Sequence, residues 1–516
     1  MVMELKDLIV GLILSTIIPI LYYLYHVNRS KSKSLPPAYK GWFPWLGCAF
    51  EFGKNPLDFI AQKKELGSIF TLYVAGERLT FITDAEDFQH FFQSPFVDFQ
   101  KAVQDPVLNV ASVSKASFFK YHTKIHDMVK GRLASSRLIY FSDKLCDEFR
   151  DQLTQIGKQG KGDLHHLVRK SMYAAVINNL FGKNVLPVNS EKEFEKLEEM
   201  FVMFDEQFEY GARIPSVFLK DWSSAKKYLI DLFSKVVPKT TNKKSDDDET
   251  LLHSLLNLVQ DQYKPNYSLL LLWASLANAI PITFWTLAFI LHDEKVLQKV
   301  KTELTSVFGQ NGQCPTITEE GLKKLQYLKW CVLESIRLRP TGIITRRVIK
   351  SFNIREMEIP EGDMLMLSPF WAHRNEKYFP DPLMYKPERW KEADIDKNVF
   401  LDGFVAFGGG RYQCPGRWYA ILEIQMYVAI YMYVFLFYFR WYAILEIQMY
   451  VAIYMYVFLF YFRWYAILEI QMYVAMFLQL FDCKLLINSI PEPSKKHLVG
   501  TQQPAEPCPV EYKLRK

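Results

Sequence analysis

The chain has 516 residues, of which 50% are hydrophobic, and a formal net charge of +6 at pH 7. This length allows one large domain or two or three ordinary ones, and the composition is sufficient for an extensive core. The mild positive charge argues against a nucleic-acid-binding protein, whose basic residues would cluster into runs. The seven cysteines are widely spaced and include no Cys-x-x-Cys pair. They therefore indicate neither a disulfide framework nor a zinc site and favour a reducing compartment.

The first segment of the chain is long enough to cross a membrane. Residues 8–27 form an apolar run of about 20 residues. The alternative is a cleaved signal peptide, but the run is longer than a signal core and no small-residue cleavage pattern follows it. Four cations follow instead, which places that end in the cytosol: Arg29, Lys31, Lys33 and Lys40. We predict a retained anchor with its basic flank at 1–33 and one large cytosolic domain at 34–516.

The elements after the anchor begin with two predicted strands. Residues 69–74 and 79–83 are rich in β-branched and aromatic side chains and are separated by Gly76. From about residue 85 to residue 335, most of the sequence has helical patterns. These patterns predict a mainly α-helical domain with a small early sheet.

The later elements are less regular. Within the helical region, residues 201–233 fit two helices interrupted at Gly211 and Pro215. Short strands are predicted again between residues 346 and 365, followed by an irregular proline-rich stretch at 380–390. Nothing in the sequence marks a second domain boundary.

One glycine-rich stretch surrounds a lone cysteine. Residues 407–416 read FGGGRYQCPG and contain Cys414. A single cysteine is usually buried and inert. Here the surrounding glycines allow backbone amides to approach the sulfur, and the helix-like run after Pro415 would direct its positive end at it and favour the thiolate. A thiolate on a rigid, amide-lined loop is suited to be an axial metal ligand.

Two further motifs carry charge. Glu334 and Arg337 lie three residues apart on one predicted helical face, a spacing that by itself most often marks a surface pair. Residues 387–390, with the sequence PERW, predict a turn that would deliver a second guanidinium, that of Arg389.

These three motifs together resemble the cytochrome P450 family. FGGGRYQCPG is similar to the family's cysteine-ligand loop, and the Glu-x-x-Arg and Pro-x-Arg pieces match its two other signatures in the same order. The resemblance implies a mainly α P450 fold with small β-sheets, an N-terminal transmembrane helix and a catalytic domain at 34–516. It also implies haem b as the cofactor. KGWFPWLG and LLLLWASLANAIPITFW resemble the branch of the family that contains sterol 7α-hydroxylases and prostacyclin synthase.

The resemblance implies roles for individual residues. Cys414 would be the thiolate ligand of the haem iron, donating electron density that favours O–O cleavage. Glu334, Arg337 and Arg389 would form a buried structural ion network behind the haem. The other implied cofactor contacts are Phe407 near the sulfur, Gly410 and Tyr412 in the loop, Arg346 at a propionate, and His122 and Lys124 as weaker propionate candidates. For His122 and Lys124 the alternative is a solvated basic face toward a redox partner.

Two positions depart from the family pattern. Tyr412 stands where the family usually has Arg or His, which puts one propionate contact in doubt. In the long helix over the haem, Ile280 and Pro281 replace the acid–alcohol pair of most P450 monooxygenases. Pro281 should disrupt that helix, leaving a gap for dioxygen, and Asn278 could orient water for proton delivery. The alternative is that Pro281 only bends a core helix.

The implied activity is hydroxylation of an oxysterol of the 24-hydroxycholesterol type at its 7α carbon, a step towards bile acids. The oxidant would be dioxygen, and the electrons would come from NADPH through NADPH–cytochrome P450 reductase at the endoplasmic reticulum membrane. The residues implied to line the pocket are Trp273, Asn278, Ile280, Pro281, Pro369, Phe370, Leu498 and Val499. The alternatives are a prostacyclin synthase-like isomerase of a lipid peroxide, which needs no electrons, and a haem protein inactivated by a repeat.

That repeat follows the cysteine loop. Residues 417–439 and 440–462 are identical, and 463–475 copy the first part of them again. Successive copies on one helix would present different faces, because 23 residues are not a whole number of turns. We interpret the extra copies as an aberrant duplication, and a chain made with them is expected to loop them out or to misfold.

Overall fold

The structure is a computed structural model, and it describes most of the chain between the predicted anchor and the C-terminus. The described residues are 34–134, 139–154, 159–188, 190–241, 250–308, 324–339, 342–393, 402–417, 481–487, 490–493 and 504–514. The predicted anchor at 1–33, the repeats after Arg417, and Leu498 and Val499 lie outside them.

The described residues are mainly α-helical, as the sequence patterns predict. In chain order the helices are α1 (Ala49–Lys54), α2 (Pro56–Lys63), α3 (Phe88–Gln93), α4 (Phe99–Ala111), α5 (Lys115–Arg132), α6 (Ile139–Thr154), α7 (Leu164–Phe181), α8 (Glu191–Glu206), α9 (Phe208–Arg213), α10 (Lys220–Thr241), α11 (Leu251–Leu258), α12 (Lys264–Leu276), α13 (Ala279–His292), α14 (Glu294–Phe308), α15 (Gln326–Leu338) and α16 (Pro369–Ala372). Short 3₁₀ turns include Ser216–Phe218, Pro387–Glu392 and Gly410–Tyr412.

The strands are short and belong to three small sheets. They are β1 (Ala38–Tyr39), β2 (Ile69–Val74), β3 (Glu77–Ile82), β4 (Val97–Asp98), β5 (Gln159–Asp163), β6 (Ile344–Val348), β7 (Phe352–Ile354), β8 (Met357–Ile359), β9 (Met364–Leu367), β10 (Phe481–Leu485) and β11 (Pro509–Leu514). One sheet has the order β1-β2-β3-β9-β6-β4, another β10-β11-β5, and β7 pairs with β8.

The first predicted strand pair forms a tight hairpin. β2 spans the predicted residues, and β3 begins two residues before its predicted start because the antiparallel register continues to Glu77, which pairs with Val74. The two turn residues, Ala75 and Gly76, have φ of 50° and 83°. Turns with both central residues at positive φ match the twist of the two strands. The strands predicted between 346 and 365 are also confirmed, as β6 to β9.

Among the described residues, one helical stretch is apolar and long enough to cross a membrane, and it forms the central helices of the core. It is Lys264–His292, which contains an 18-residue window with a mean hydropathy of 1.6, and 72% of that window is buried inside the protein. The regular helix is interrupted between α12 and α13 by two turn residues, Ala277 and Asn278, although the Ala277 amide still donates to the Trp273 carbonyl at 3.0 Å. Pro281 has no amide to donate to the carbonyl of Ala277, which accounts for the break. The predicted disruption of the helix is therefore present.

Gly211 does not interrupt a helix, so that prediction is wrong. It lies inside α9, and a Cβ atom at this position would be 2.1 Å from Cζ2 of Trp222. Trp222 is buried and donates from its indole nitrogen to the Phe204 carbonyl at 3.1 Å. Glycine is needed at position 211 because the indole of α10 packs directly against the α9 backbone. Pro215, in contrast, does lie between helices.

Candidate active site

A buried cluster of opposite charges forms around Glu334 on α15. The Arg337 guanidinium donates to both carboxylate oxygens of Glu334, at 2.9 and 2.8 Å. Nε of Arg389 and the indole nitrogen of Trp390 donate to the same carboxylate at 2.8 and 3.0 Å. Glu334 and Arg337 are fully buried. The structure thus brings together the three residues of the predicted ion network, and we call Glu334, Arg337 and Arg389 the ion cluster.

The ion cluster also holds the irregular chain that follows α16. Nη1 of Arg337 donates to the His373 carbonyl at 2.7 Å, and Nη1 of Arg389 donates to the Pro380 carbonyl at 3.0 Å. Residues 373–386 form no helix or strand. The guanidinium groups therefore supply partners for carbonyl oxygens that secondary structure would otherwise satisfy.

His373 connects the ion cluster to the chain that leads into the cysteine loop. Its Nδ1 donates to the Arg337 carbonyl at 3.1 Å, and its Nε2 accepts from the Val405 amide at 2.9 Å. Burial, together with the charge of Arg337, holds the pKa of His373 well below its usual value. The ring is therefore neutral, which this pair of hydrogen bonds requires. Sequence reasoning missed His373, whose only signal was a histidine within the otherwise apolar stretch SPFWAH.

Residues 402–417 present Cys414 on a turn-rich loop. The Cys414 amide donates to the Phe407 carbonyl at 2.9 Å, which closes the loop. The ring centroid of Phe407 lies 6.2 Å from that of Phe404, and Phe404 stacks on His373 with centroids 4.9 Å apart. Cys414 is partly accessible, whereas Cys48, Cys331 and Cys508 are buried.

Gly410 shows why this loop requires glycine. Its φ is +69°, and a Cβ atom would lie 2.5 Å from the backbone oxygen of Phe92. Phe92 is in the last turn of α3. The glycine therefore lets the loop pack directly on the α3 backbone, a constraint that sequence reasoning did not identify.

Burial, and not the loop amides, dominates the acidity of Cys414. Burial raises the pKa of its thiol, while the Gly416 amide and the charge of Arg417 only partly offset that rise. The Gly416 amide thus acts in the direction predicted for the loop, and burial opposes it. A coordinated metal ion would deprotonate the sulfur, because a thiol that binds a cation loses its proton outright.

Arg346 is a buried cation on β6. Its Nη1 donates to the Thr345 carbonyl at 2.8 Å, and its guanidinium lies 4.9 and 5.0 Å from the ring centroids of Phe99 and Phe91. Within the described part of the chain, no carboxylate forms an ion pair with it. Burial lowers the pKa of Arg346 to about 10. A guanidinium in these surroundings is suited to bind an anion.

Tyr412 packs against α5. Its hydroxyl lies 3.3 Å from Oγ1 of Thr123, and its ring centroid lies 5.4 Å from that of His122. Burial, with a smaller contribution from a neighbouring histidine, lowers the pKa of His122 to about 4. His122 is therefore neutral near pH 7 and could bind a carboxylate only as a hydrogen-bond donor. Lys124 is exposed on the same helix.

A second histidine on α5 also contacts the loop. Nε2 of His126 donates to the Gln413 carbonyl at 3.1 Å, directly before Cys414. Its ring packs edge-on against Tyr412, with centroids 5.7 Å apart. Sequence reasoning missed His126, although it follows His122 by one helical turn, the spacing that places two side chains on one face.

The break in the central helix lies at the predicted catalytic positions. Ala274 and Asn278 are exposed although the helix around them is largely buried, and their spacing of four residues places them on one face. Ile280 and Pro281 are buried. Trp273, on the same helix, is half-buried. Pro369 is buried and Phe370 half-buried on α16.

The comparisons with known proteins decide the family. The cytochrome P450 profile matches residues 36–441. The chain belongs to the cytochrome P450 family. It is 40% identical to the 24-hydroxycholesterol 7-alpha-hydroxylase of Homo sapiens over 500 residues, covering 95% of this chain and 96% of that protein. It is 39% identical to the Mus musculus protein of the same name, over 95% of this chain and 96% of that protein.

The fold comparison agrees. The solved structure of the retinoic acid-bound cyanobacterial CYP120A1 superposes with a TM-score of 0.69, covering 94% of this chain and 100% of that one. The sequence identity is 19%, so this likeness concerns the fold alone. This cytochrome P450 is thus an enzyme whose relatives include steroid 7α-hydroxylases.

The residues present fit a haem group. Cys414 is a partly accessible residue, and its sulfur can serve as the one protein ligand that the haem iron of a P450 requires. Arg346 offers a buried positive charge without a carboxylate partner among the described residues, which suits a haem propionate. Tyr412 lies close enough to Arg346 to influence its pKa, so the two groups share one region. These residues belong to two separate parts of the chain, β6 and the cysteine loop, that only the fold brings together.

Proposed function

We propose that this cytochrome P450 is a monooxygenase that hydroxylates an oxysterol at its 7α carbon. The observation that carries the proposal is the 40% identity to a 24-hydroxycholesterol 7-alpha-hydroxylase over 95% of the chain. The substrate would be of the 24-hydroxycholesterol type, and the product would enter cholesterol catabolism towards bile acids.

The protein's own residues would hold the cofactor and keep it in place. Cys414 would bind the haem iron through its sulfur, and Arg346 would neutralise a propionate, with Tyr412 and the neutral His122 as hydrogen-bonding neighbours. Haem, when bound, activates dioxygen for insertion of one oxygen atom into a carbon–hydrogen bond. The ion cluster and His373 would keep the cysteine loop in register without touching the substrate.

Asn278 and Pro281 would take the place of the missing acid–alcohol pair. Because Pro281 interrupts the helix, the Asn278 side chain stands on the accessible face at the break. Its amide can hold a water molecule by donating and accepting hydrogen bonds, and that water would deliver protons. Phe370 and Trp273, which the sequence implies for the pocket, are apolar side chains that would suit a rigid hydrocarbon substrate carrying few hydroxyl groups.

The electrons would come from NADPH through NADPH–cytochrome P450 reductase. Lys120, Lys124 and Lys130 are exposed on α5, the helix that contacts the cysteine loop. An exposed row of cations beside the ligand loop favours docking of an acidic electron donor. We propose that residues 1–33 anchor the protein in the endoplasmic reticulum membrane, with the catalytic domain in the cytosol.

The test is a reconstituted reaction. Microsomes containing the full chain are incubated with 24-hydroxycholesterol and NADPH, with and without reductase, and the products are identified by mass spectrometry. The expected result is a 7α-hydroxylated product that requires both reductase and NADPH. Turnover of a lipid peroxide without either would establish an isomerase instead. A thiolate-type ferrous–CO spectrum without conversion of any sterol in an oxysterol panel would indicate an inactive haem protein.

A further inference from the structure

Asp205 is a carboxyl group that the mechanism above does not use. It lies in the last turn of α8, and its Oδ1 accepts a hydrogen bond from the Trp273 indole at 2.8 Å. The Trp273 ring stacks on Phe208 with centroids 3.8 Å apart and an interplanar angle of 2°. The Trp273 indole thus donates to a carboxyl group on α8 and stacks on a phenyl ring of α9. These two contacts fix the indole and the carboxyl group relative to each other.

Trp273 is one of the residues that the sequence implies for the substrate pocket. It is on α12 directly before Ala274, which shares the accessible face of the central helix with Asn278. At 1.5 Å per residue, Trp273 and Asn278 are about 7.5 Å apart along the helix axis. A four-ring sterol is longer than this separation, so a sterol bound beside Asn278 would be long enough to extend to Trp273.

The surroundings of Asp205 are mostly apolar, and its carboxyl group is incompletely satisfied. The preceding Phe204 is fully buried, whereas Asp205 is half-buried. Within the described part of the chain, Oδ2 has no hydrogen-bond partner and no cation forms an ion pair with Asp205. Burial raises the pKa of Asp205 to about 7, although the Trp273 hydrogen bond opposes the rise.

We propose that Asp205, positioned by the Trp273 indole, accepts a hydrogen bond from a hydroxyl group of the bound sterol and thereby selects hydroxylated sterols. The inference rests on the proposed function and adds the side chain that recognises a hydroxyl group of the substrate. An apolar pocket distinguishes molecules by shape, but a fixed acceptor in an apolar wall penalises any ligand that leaves it unpaired. A sterol has hydroxyl groups at two ends, in ring A and in the side chain, and either one supplies this chemistry.

The experiment measures binding, so it does not depend on turnover. The haem-loaded full chain is titrated with three tritiated ligands: 24-hydroxycholesterol, cholesterol, which lacks the side-chain hydroxyl, and 3-deoxy-24-hydroxycholesterol, which lacks the ring hydroxyl. For the wild type, one of the two analogues is expected to bind about 5- to 150-fold more weakly than 24-hydroxycholesterol. The analogue that binds more weakly identifies the hydroxyl group that donates to Asp205.

The variants assign the discrimination to Asp205. Asp205→Leu, similar in shape but unable to accept a hydrogen bond, should bring the affinity ratio close to one. Asp205→Asn should keep most of the wild-type discrimination between the ligands, because the amide oxygen still accepts a hydrogen bond. The control is Glu195→Gln, an exposed carboxyl group on the same helix, which should leave the ratio unchanged. If Asp205→Leu does not fold, the double variant Asp205→Leu/Trp273→Phe removes donor and acceptor together. It should likewise bring the affinity ratio close to one.

The two proposals fail in different ways. If the wild type binds none of the three sterols, the proposed function is wrong. If the wild type binds them and Asp205→Leu discriminates as the wild type does, or if the wild type binds both analogues as tightly as 24-hydroxycholesterol, only the inference about Asp205 is overturned.

Discussion

Replacing Glu334 by Gln tests whether the ion cluster stabilises the protein. Oε1 of Glu334 accepts from Nη2 of Arg337, Nε of Arg389 and the Lys386 amide, and Oε2 accepts from Nε of Arg337 and the Trp390 indole. In either orientation of a glutamine side chain, its NH₂ group would face at least two of these donors. Two buried guanidinium groups would also lose their counter-charge.

The expected loss of stability is large. Removing one partner of a buried ion pair costs about 3–5 kcal/mol, because the remaining charge stays in a medium of low polarity. Proteins of ordinary stability unfold at a cost of about 5–15 kcal/mol, so Glu334→Gln should lose a large share of its folded population and of its haem content.

The measurement compares urea unfolding, followed by tryptophan fluorescence, with haem content per chain for both proteins in the haem-loaded state. The matched control is Asp231→Asn, which breaks an exposed pair with Lys227 whose N–O distance is 2.5 Å. The control should change the free energy of unfolding by less than about 1 kcal/mol. A Glu334→Gln protein that stays within about 1 kcal/mol of the wild type and retains its haem would refute the reasoning.

Three further predictions concern other parts of the site and fold. Cys414→Ser should abolish the thiolate-type ferrous–CO spectrum, and a variant that keeps this spectrum would exclude Cys414 as the ligand. The pKa of His373 lies well below 6.5, so the unfolded chain takes up a proton that the folded protein does not, and this contribution to stability is lost as pH falls below about 6.5. In urea unfolding measured across this range, the wild type should lose up to about 1.4 kcal/mol per pH unit relative to His373→Gln; parallel curves for the two proteins would contradict this. Gly211→Ala should lower the free energy of unfolding by about 1–3 kcal/mol or more, because the new methyl group overlaps the Trp222 indole; Gly53→Ala, where no atom lies within 4 Å of the new Cβ, is the control, and equal midpoints for the two variants would count against the explanation.

Much of the fold follows from local patterns in the sequence. The β2–β3 hairpin is marked by β-branched residues around Gly76, and the helical region by its periodicity. Both signals act over a few residues, which is why they can be recognised without tertiary contacts. Gly211 was misinterpreted because its cause is the indole of Trp222, eleven positions away and on another helix.

The site also contains residues that the sequence predicts and residues that it does not. Cys414 and the ion cluster belong to short sequence motifs, and these motifs are informative because they occur together. His373 and His126 act through the backbone of distant segments, at Val405 and Gln413, and no local pattern encodes such contacts. Asp205 stands beside Glu206 in an ordinary acidic helix, and only the packing of Trp273 distinguishes the two.

The irregular chain at 373–386 imposes an order of assembly. Its carbonyl oxygens find their partners only after α15 has met the PERW turn, through contacts that join positions up to 56 residues apart. Loops of this kind close late, since the entropy of bringing distant segments together is lost before the contacts form. The chain before Cys414 is tied to the same centre through His373. On the ribosome, the sulfur therefore reaches its place only when nearly the whole chain has emerged, and capture of the prosthetic group becomes one of the last events in maturation.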